Sequence, residues 1–294
     1  MPESPPIRPG FHPFWFWNGR IEDDEIRRQV AEMADKGIRG FFIHPRQGLG
    51  QPYLSDAFFD RVRAAVEAAR THGLDVHLYD EFPYPSAAAG GEVAAGNPQY
   101  HATSLVQQTC DVDGGPVRLE LPAGRVLEIK AFPLREGAPV WSAGIDLRDC
   151  VGMVLSRNAY KEGRSLSDYS LKRYWAGQPV PVLEAALPDG PHRVFFSVQA
   201  EIRHHKYWGS YVDVYNKEAI AHFLELTHER YHRHVGKDFG ALIRSVFVDE
   251  TFPHWSRLLP AAFREQYGYD LCDCLHALQA ADHPDHHRVR ADLQ

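Results

Sequence analysis

Residues 75–91, DVHLYDEFPYPSAAAGG, decide the fold. Val76, Leu78 and Tyr79 form a short β-prone run, and Asp80 and Glu81 arrive where that strand must stop. Pro83 and Pro85 remove backbone donors and forbid further ladder pairing, and residues 87–91 make a small-residue loop. A strand that ends in carboxylates and opens into an aromatic, proline-braced loop is the layout of a catalytic strand end in an α/β barrel. The plainer alternative is a helix-capping Asp beside a solvated Glu. A second strand end of the same kind, LIRSVFVDE at 242–250, weighs against it.

Toward the N-terminus, 13–17 (PFWFW) reads as an aromatic strand closed by Asn18–Gly19. Asp23 or Asp24 can cap a helix carrying Ile26, Val30 and Met33, which Gly37 stops. A second buried strand, GFFIH (40–44), runs into Pro45, Arg46 and a glycine-rich loop. Ser55 or Asp56 caps the next helix, with Phe59, Val62, Val66 and Ala69 on one face. Strand–helix–strand–helix–strand with short connections predicts a parallel α/β architecture.

From residue 103 the rhythm changes to short apolar or alternating runs between DGG, PAG and EG turns, which predicts an inserted β-rich module over 103–192. Residues 193–200 (RVFFSVQA) read as a fourth barrel strand or as the module's last strand. Asn216 caps a helix with Ile220, Phe223, Leu224, Thr227 and Tyr231 on its apolar face, and 242–248 is strand five. The expected fold is therefore α/β: a partial (β/α)8 TIM barrel interrupted by a β-rich insertion and stopping before strands six to eight. Its expected segments are 1–102 (strands one to three), 103–192 (the module) and 193–294 (strands four and five and the helices after them). An open barrel of this kind is expected to have little activity alone, its missing C-terminal part belonging to a longer chain.

The 294 residues carry 32 basic and 39 acidic side chains, a net charge of −7 that argues against a nucleic-acid partner. No basic segment followed by an apolar one opens the chain, and no apolar run is long enough to span a membrane. Cys110, Cys150, Cys272 and Cys274 show no framework spacing, so reduced thiols and a cytoplasmic location are expected.

The paired strand ends LYDE (78–81) and FVDE (247–250) carry the chemistry. In a parallel barrel all strand carboxyl ends share one face, so Glu81 and Glu250 can converge there. Two carboxylates flanking a cleft suit glycosidic bond cleavage, one protonating the leaving oxygen and the other activating water or attacking. Asp80 and Asp249 sit beside them as hydrogen-bond or charge partners. His228-Glu229-Arg230-Tyr231-His232 matches the zinc motif H-E-x-x-H, the basis of an alternative zinc-metallohydrolase reading. It is discounted, because the helix buries a different face and its histidines drift toward water. Cys272-Asp273-Cys274-Leu275-His276 lacks a second paired half, and no phosphate-binding glycine motif is present.

FWFWNG (14–19), GFFIHPRQGLG (40–50), YDEFPYPSAAAGG (79–91), YVDVYNKEAIAHF (211–223) and VFVDE (246–250) occur in an order that resembles the N-terminal barrel region of bacterial glycoside hydrolases related to the α-L-rhamnosidases of family 106. The resemblance covers 12–102 and 207–256. It implies a barrel interrupted by β-rich insertions, two catalytic glutamates, an inverting mechanism, a carbohydrate substrate and, in rhamnosidases, a calcium ion near it. Carried over, Glu81 and Glu250 are the catalytic pair, with Glu81 as acid because Tyr79, Phe82 and Tyr84 give it an apolar setting. Trp17, Asn18, His44 and Arg46 match positions lining the sugar pocket. Tyr84, Asp213 and His254, within or beside the same motifs, join Asp80 and Asp249 as further substrate-binding candidates. Ala87 stands where relatives have Gly, and Thr251 follows Asp-Glu where Pro is usual, so the sugar stays open. The rival within the same resemblance is a catalytically inactive carbohydrate-binding remnant.

Overall fold

The computed structural model describes residue 7 and residues 9–155, 160–164, 170–174, 179–203, 205, 207–252 and 254–294. The chain divides into two compact units, Met1–Ala102 with Ile202–His254, and Thr103–Glu201 with Trp255–Gln294.

The first unit is a parallel sheet of β1 (Phe14–Trp17), β2 (Gly40–Pro45), β3 (Asp75–Tyr79) and β4 (Ile243–Phe247), in that spatial order. The register opposes Phe14 to Phe42, Phe42 to His77, and Tyr79 to Phe247. Side chains alternate across a strand, so Trp15, Trp17, Phe41, Ile43, Val76 and Leu78 share one face. That face packs with α1 (Asp23–Asp35) and α2 (Asp56–His72) around the fully buried Phe58, Phe59 and Val62. Each buried aromatic or branched side chain here contributes roughly 1.5–3 kcal/mol. The opposite face presents Phe14, Phe16, Phe42, His44, His77, Tyr79 and Phe247, with Phe14 edge-on to four of these rings.

The helix ends follow the residues. Ser55 accepts from the Phe58 amide, and Gly73 closes α2 in the left-handed conformation. Asp23 and Asp24 lie inside the first turn of α1, where they favour its positive end, rather than capping it. Asn216 caps α3 (Lys217–Leu226) through the Glu218 and Ala219 amides. The single helix expected beyond it breaks at Thr227, whose hydroxyl donates to the Phe223 carbonyl, and α4 (His228–Val235) follows. Tyr231 and His234 of α4 pack on Phe59 of α2. Gly40 is required because a Cβ there would lie 2.6 Å from the Asp75 carbonyl oxygen.

The second unit is antiparallel. Strand His192–Glu201 lies between Thr103–Val112 and Arg125–Arg135, while Pro179–Leu187 lies between Gly115–Glu120 and Val151–Leu155. Val117, Leu183, Ile129, Val194 and Val198 from the two sheets form one core. Residues 160–164 and 170–174 pair as a hairpin. Helices Leu259–Tyr267, His276–Gln279 and His286–Leu293 complete the unit, with Phe263, Leu271, Leu275 and Val289 buried against Leu127. His276 is fixed by the buried Glu128, whose carboxylate accepts from both its ring and its backbone N–H. Burial raises the Cys272 and Cys274 thiols to about 11 and about 12, so both stay protonated.

Two sequence expectations are corrected. Residues 193–200 are not a barrel strand: they form the central strand of an antiparallel sheet in the β-rich unit, paired on both edges and buried on both faces. The helices after residue 254 belong with that unit and do not continue the parallel sheet. The parallel sheet thus has four strands, and the described residues form no closed barrel. No described helix is long and apolar enough to cross a membrane.

Candidate active site

β3 ends at Tyr79, and the loop after it is built around Glu81. The Glu81 carboxylate is fully buried and accepts four backbone N–H bonds, from Phe82 (2.8 Å), Ala88 (2.7 Å), Ala89 (2.8 Å) and Gly90 (2.6 Å). Left-handed backbone at Ala87, Ala89, Gly90 and Gly91 turns these amides inward, and Gly91 lets the Trp208 ring approach to 2.7 Å of where a Cβ would sit. Burial pushes the Glu81 pKa up to about 8, while the four amides pull it the other way. In this geometry Glu81 is the anchor of loop 82–90, and neither oxygen is open to a substrate.

Asp80, one residue beyond Tyr79, is 1% exposed. Its Oδ1 accepts from the Ser86 hydroxyl at 2.5 Å, and its Oδ2 lies 3.7 Å from Nε2 of His228 on α4 without a hydrogen bond. Burial, with a smaller push from Asp249, raises Asp80 to about 6 against the opposing Ser86 bond. Ser86 also joins the ends of β3 and β4: it exchanges two 2.8 Å bonds with the Asp249 backbone and accepts at its carbonyl from the Tyr211 hydroxyl.

The other side of the same strand ends is polar and aromatic. The Tyr79 hydroxyl donates to the Asp249 carboxylate. Tyr79 stacks on His44, ring centres 3.6 Å apart, and on Phe247 at 5.8 Å. Burial, then the Asp249 contact, drives the Tyr79 pKa upward, so the phenol keeps its proton. Nδ1 of His44 is bonded to the Pro45 carbonyl and must donate, which leaves the Nε2 lone pair as an acceptor. Burial lowers the His44 pKa to about 4, so this imidazole is neutral at pH 7. The Arg46 guanidinium lies between the Phe16 and Tyr84 rings, 5.1 and 5.2 Å from their centres, and acts electrostatically with Asp249 on both His44 and Tyr79.

The structure therefore brings His44, Arg46, Tyr84 and Asp249 together. Glu250 follows Asp249, exposed and with φ +44°, which takes it off the strand's alternation. Asn18 is exposed beyond β1. His254 packs edge-on against Tyr211, and burial lowers its pKa. Trp17 points the other way, 1% exposed among Trp15 and Phe58 of the helix face, so it does not line a pocket. Asp213, 3% exposed, accepts from the Tyr215 amide and holds a turn.

Sequence reasoning missed Ser86 and the parts that Tyr79 and His228 take here. Alternation from His77 to Tyr79 was the available signal for Tyr79. The other two depend on contacts between distant segments. The expectation that both histidines of H-E-x-x-H turn to water is corrected for one of them: His228 is half-buried and faces Asp80, while His232 is exposed and packs near Phe239. Calcium takes roughly six to eight oxygen ligands. Asp80 and Asp249 are each committed to a hydroxyl donor, and among the described residues no group of three or more His, Cys, Asp or Glu side chains is placed to hold a metal ion, so these two acids do not fit a carboxylate-built calcium cage.

No protein-family model and no curated protein sequence matches the chain. Among solved structures, the chain is similar to a rhamnosidase from Novosphingobium sp. PP1Y, with a TM-score of 0.51 and 14% identity. The match covers 91% of this chain and 41% of that one, so the chain spans about two fifths of the rhamnosidase's length. At this identity the likeness concerns the fold.

Proposed function

We propose that the parallel-sheet unit is part of a glycoside hydrolase that cleaves a terminal sugar of the α-L-rhamnoside kind with inversion. The observation that carries this reading is the assembly of His44, Arg46, Tyr79 and Asp249 at the carboxyl ends of parallel strands, where α/β barrels place their chemistry. The fold likeness to a rhamnosidase supports it. Inversion needs one carboxylate to activate water and an acid to protonate the leaving oxygen. Glu250, exposed at the end of β4, serves as the base. Asp249, oriented by the Tyr79 hydroxyl, faces the positive charge that develops at the anomeric carbon. His44 Nε2 accepts from one sugar hydroxyl, and Arg46, held between Phe16 and Tyr84, donates to others, with Asn18 and His254 at the margins. Glu81 has the raised pKa of a general acid, about 8, but it can donate only if loop 82–90 releases it.

The test is turnover of a panel of aryl glycosides, aryl α-L-rhamnoside included, by the full natural polypeptide that carries this chain. Hydrolysis that falls about 10²–10⁴-fold in Asp249→Asn or Glu250→Gln supports the reading. Absence of turnover on every glycoside rejects it. The sequestered Glu81 carboxylate favours one second reading, a carbohydrate-binding unit without hydrolysis. Saturable sugar binding with no turnover would identify that case.

A further inference from the structure

A cavity of about 380 Å³ in the β-rich unit is lined by Arg125, Arg148, Arg257 and Arg264 against one lining carboxylate, Asp270. Four guanidiniums around one hollow stand out in a chain of net charge −7. Like charges around one hollow repel one another, and acids, solvent or a bound anion must offset that repulsion. Arg148 is held by Asp146 (2.5 Å) and Asp273 (2.7 Å), Arg257 by Glu201 (3.4 Å), and none of these three acids lines the cavity. Asp270 does line it, lying 3.7 Å from Arg264, but its Oδ1 is also spent on the Cys272 amide. Each guanidinium carries five donors. Among the described residues the bonds to Arg148 use its Nε and Nη2, which fix the side chain and leave Nη1 to donate elsewhere. Arg125 has no side-chain hydrogen bond or ion pair among the described residues. The wall between the arginines is apolar, formed by Val126, Pro260 and Ala261.

We propose that this cavity binds a small organic anion, a carboxylate or phosphate ester on a carbon body of about one sugar ring. The volume is at the lower end of the usual range for small-molecule sites, roughly 300–1,000 Å³. Guanidinium forks match the paired oxygens of carboxylate and phosphate, and the apolar wall accepts the carbon skeleton. The inference stands independently of the glycosidase reading, since every residue named lies in the other unit.

Calorimetric titration with glucuronate, glucose 6-phosphate and neutral glucose tests it and separates carboxylate from phosphate as the recognised group. The expected result is saturable binding of at least one anion with Kd between about 10 µM and 1 mM, no binding of glucose, and affinity at least about tenfold weaker in both Arg125→Met and Arg264→Met. Both side chains are exposed, so their loss should leave the melting temperature unchanged. The proposal is overturned if neither anion binds below about 10 mM, if glucose binds as well, or if neither variant changes the affinity.

Discussion

Asp80 and His228 face one another with the wrong protons for a hydrogen bond. Thr227 spends its hydroxyl proton on the Phe223 carbonyl, so at 3.0 Å it can only accept from Nδ1 of His228. Nε2 then turns its lone pair toward Asp80 Oδ2 across 3.7 Å, which favours the neutral carboxyl. The Asp80 pKa is accordingly raised from 3.8 to about 6, chiefly by burial. Well below its unfolded pKa of 3.8 the carboxyl is neutral whether the chain is folded or not. Between pH 4 and 6 the unfolded carboxyl ionises first, so stability falls as pH rises through this window and the loss persists above it. The difference is on the order of 3 kcal/mol. Asp80→Asn, which can accept from Ser86 and donate to His228, should raise the melting temperature at pH 7.5 by several degrees and change it little at pH 4. Melting curves at the two pH values check this, and an equal shift at both would reject it.

At the scale of elements, loop 80–91 is held by side-chain bonds rather than by regular structure, with Glu81 gathering its amides and Ser86 tying it to Asp249. Amide hydrogens of Ala88, Ala89 and Gly90 should exchange as slowly as those of β3, and Glu81→Gln should release them. Fast exchange in the native protein would reject the anchor. Ala87 sits at φ +93°, a conformation that favours glycine. Ala87→Gly should therefore be neutral or stabilising by up to about 1 kcal/mol, whereas Ala88→Gly should destabilise; denaturant unfolding of both variants decides. The strands, the Asn216 cap, Ser55 as one of two candidates for the α2 cap, and the β-rich character of the described part of 103–192 are legible because period and capping residues are local. The part taken by Glu81 was not, since its four amide partners depend on a backbone path that residue types alone do not specify. The same limit applies to 193–200: its short apolar run predicts a strand, but only pairing on both edges shows which sheet takes it. His228 shows the converse, a literal motif whose spacing is met while its first histidine faces an acid.

For the whole molecule, the strand-end logic read from LYDE and FVDE expects both glutamates to reach one cleft, Glu81 as acid and Glu250 as base. The two ends differ. β3 sends Asp80 and Glu81 into buried structural bonds, while β4 presents Asp249 to Tyr79 and leaves Glu250 exposed. If the unit hydrolyses glycosides, Tyr79→Phe should lower kcat by about tenfold or more with little change in KM, because it frees Asp249 from its orienting hydroxyl. Steady-state kinetics on the best glycoside of the panel reads that split. The most direct test compares Glu250→Gln with Glu81→Gln in the full natural polypeptide, measuring kcat/KM on that glycoside together with the melting temperature. Glu250→Gln should lose about 10²–10⁴-fold in kcat/KM at an unchanged melting temperature, while Glu81→Gln should lower the melting temperature. A Glu250→Gln enzyme within tenfold of the parent, or a Glu81→Gln protein that melts normally yet is inactive, would contradict this division of roles.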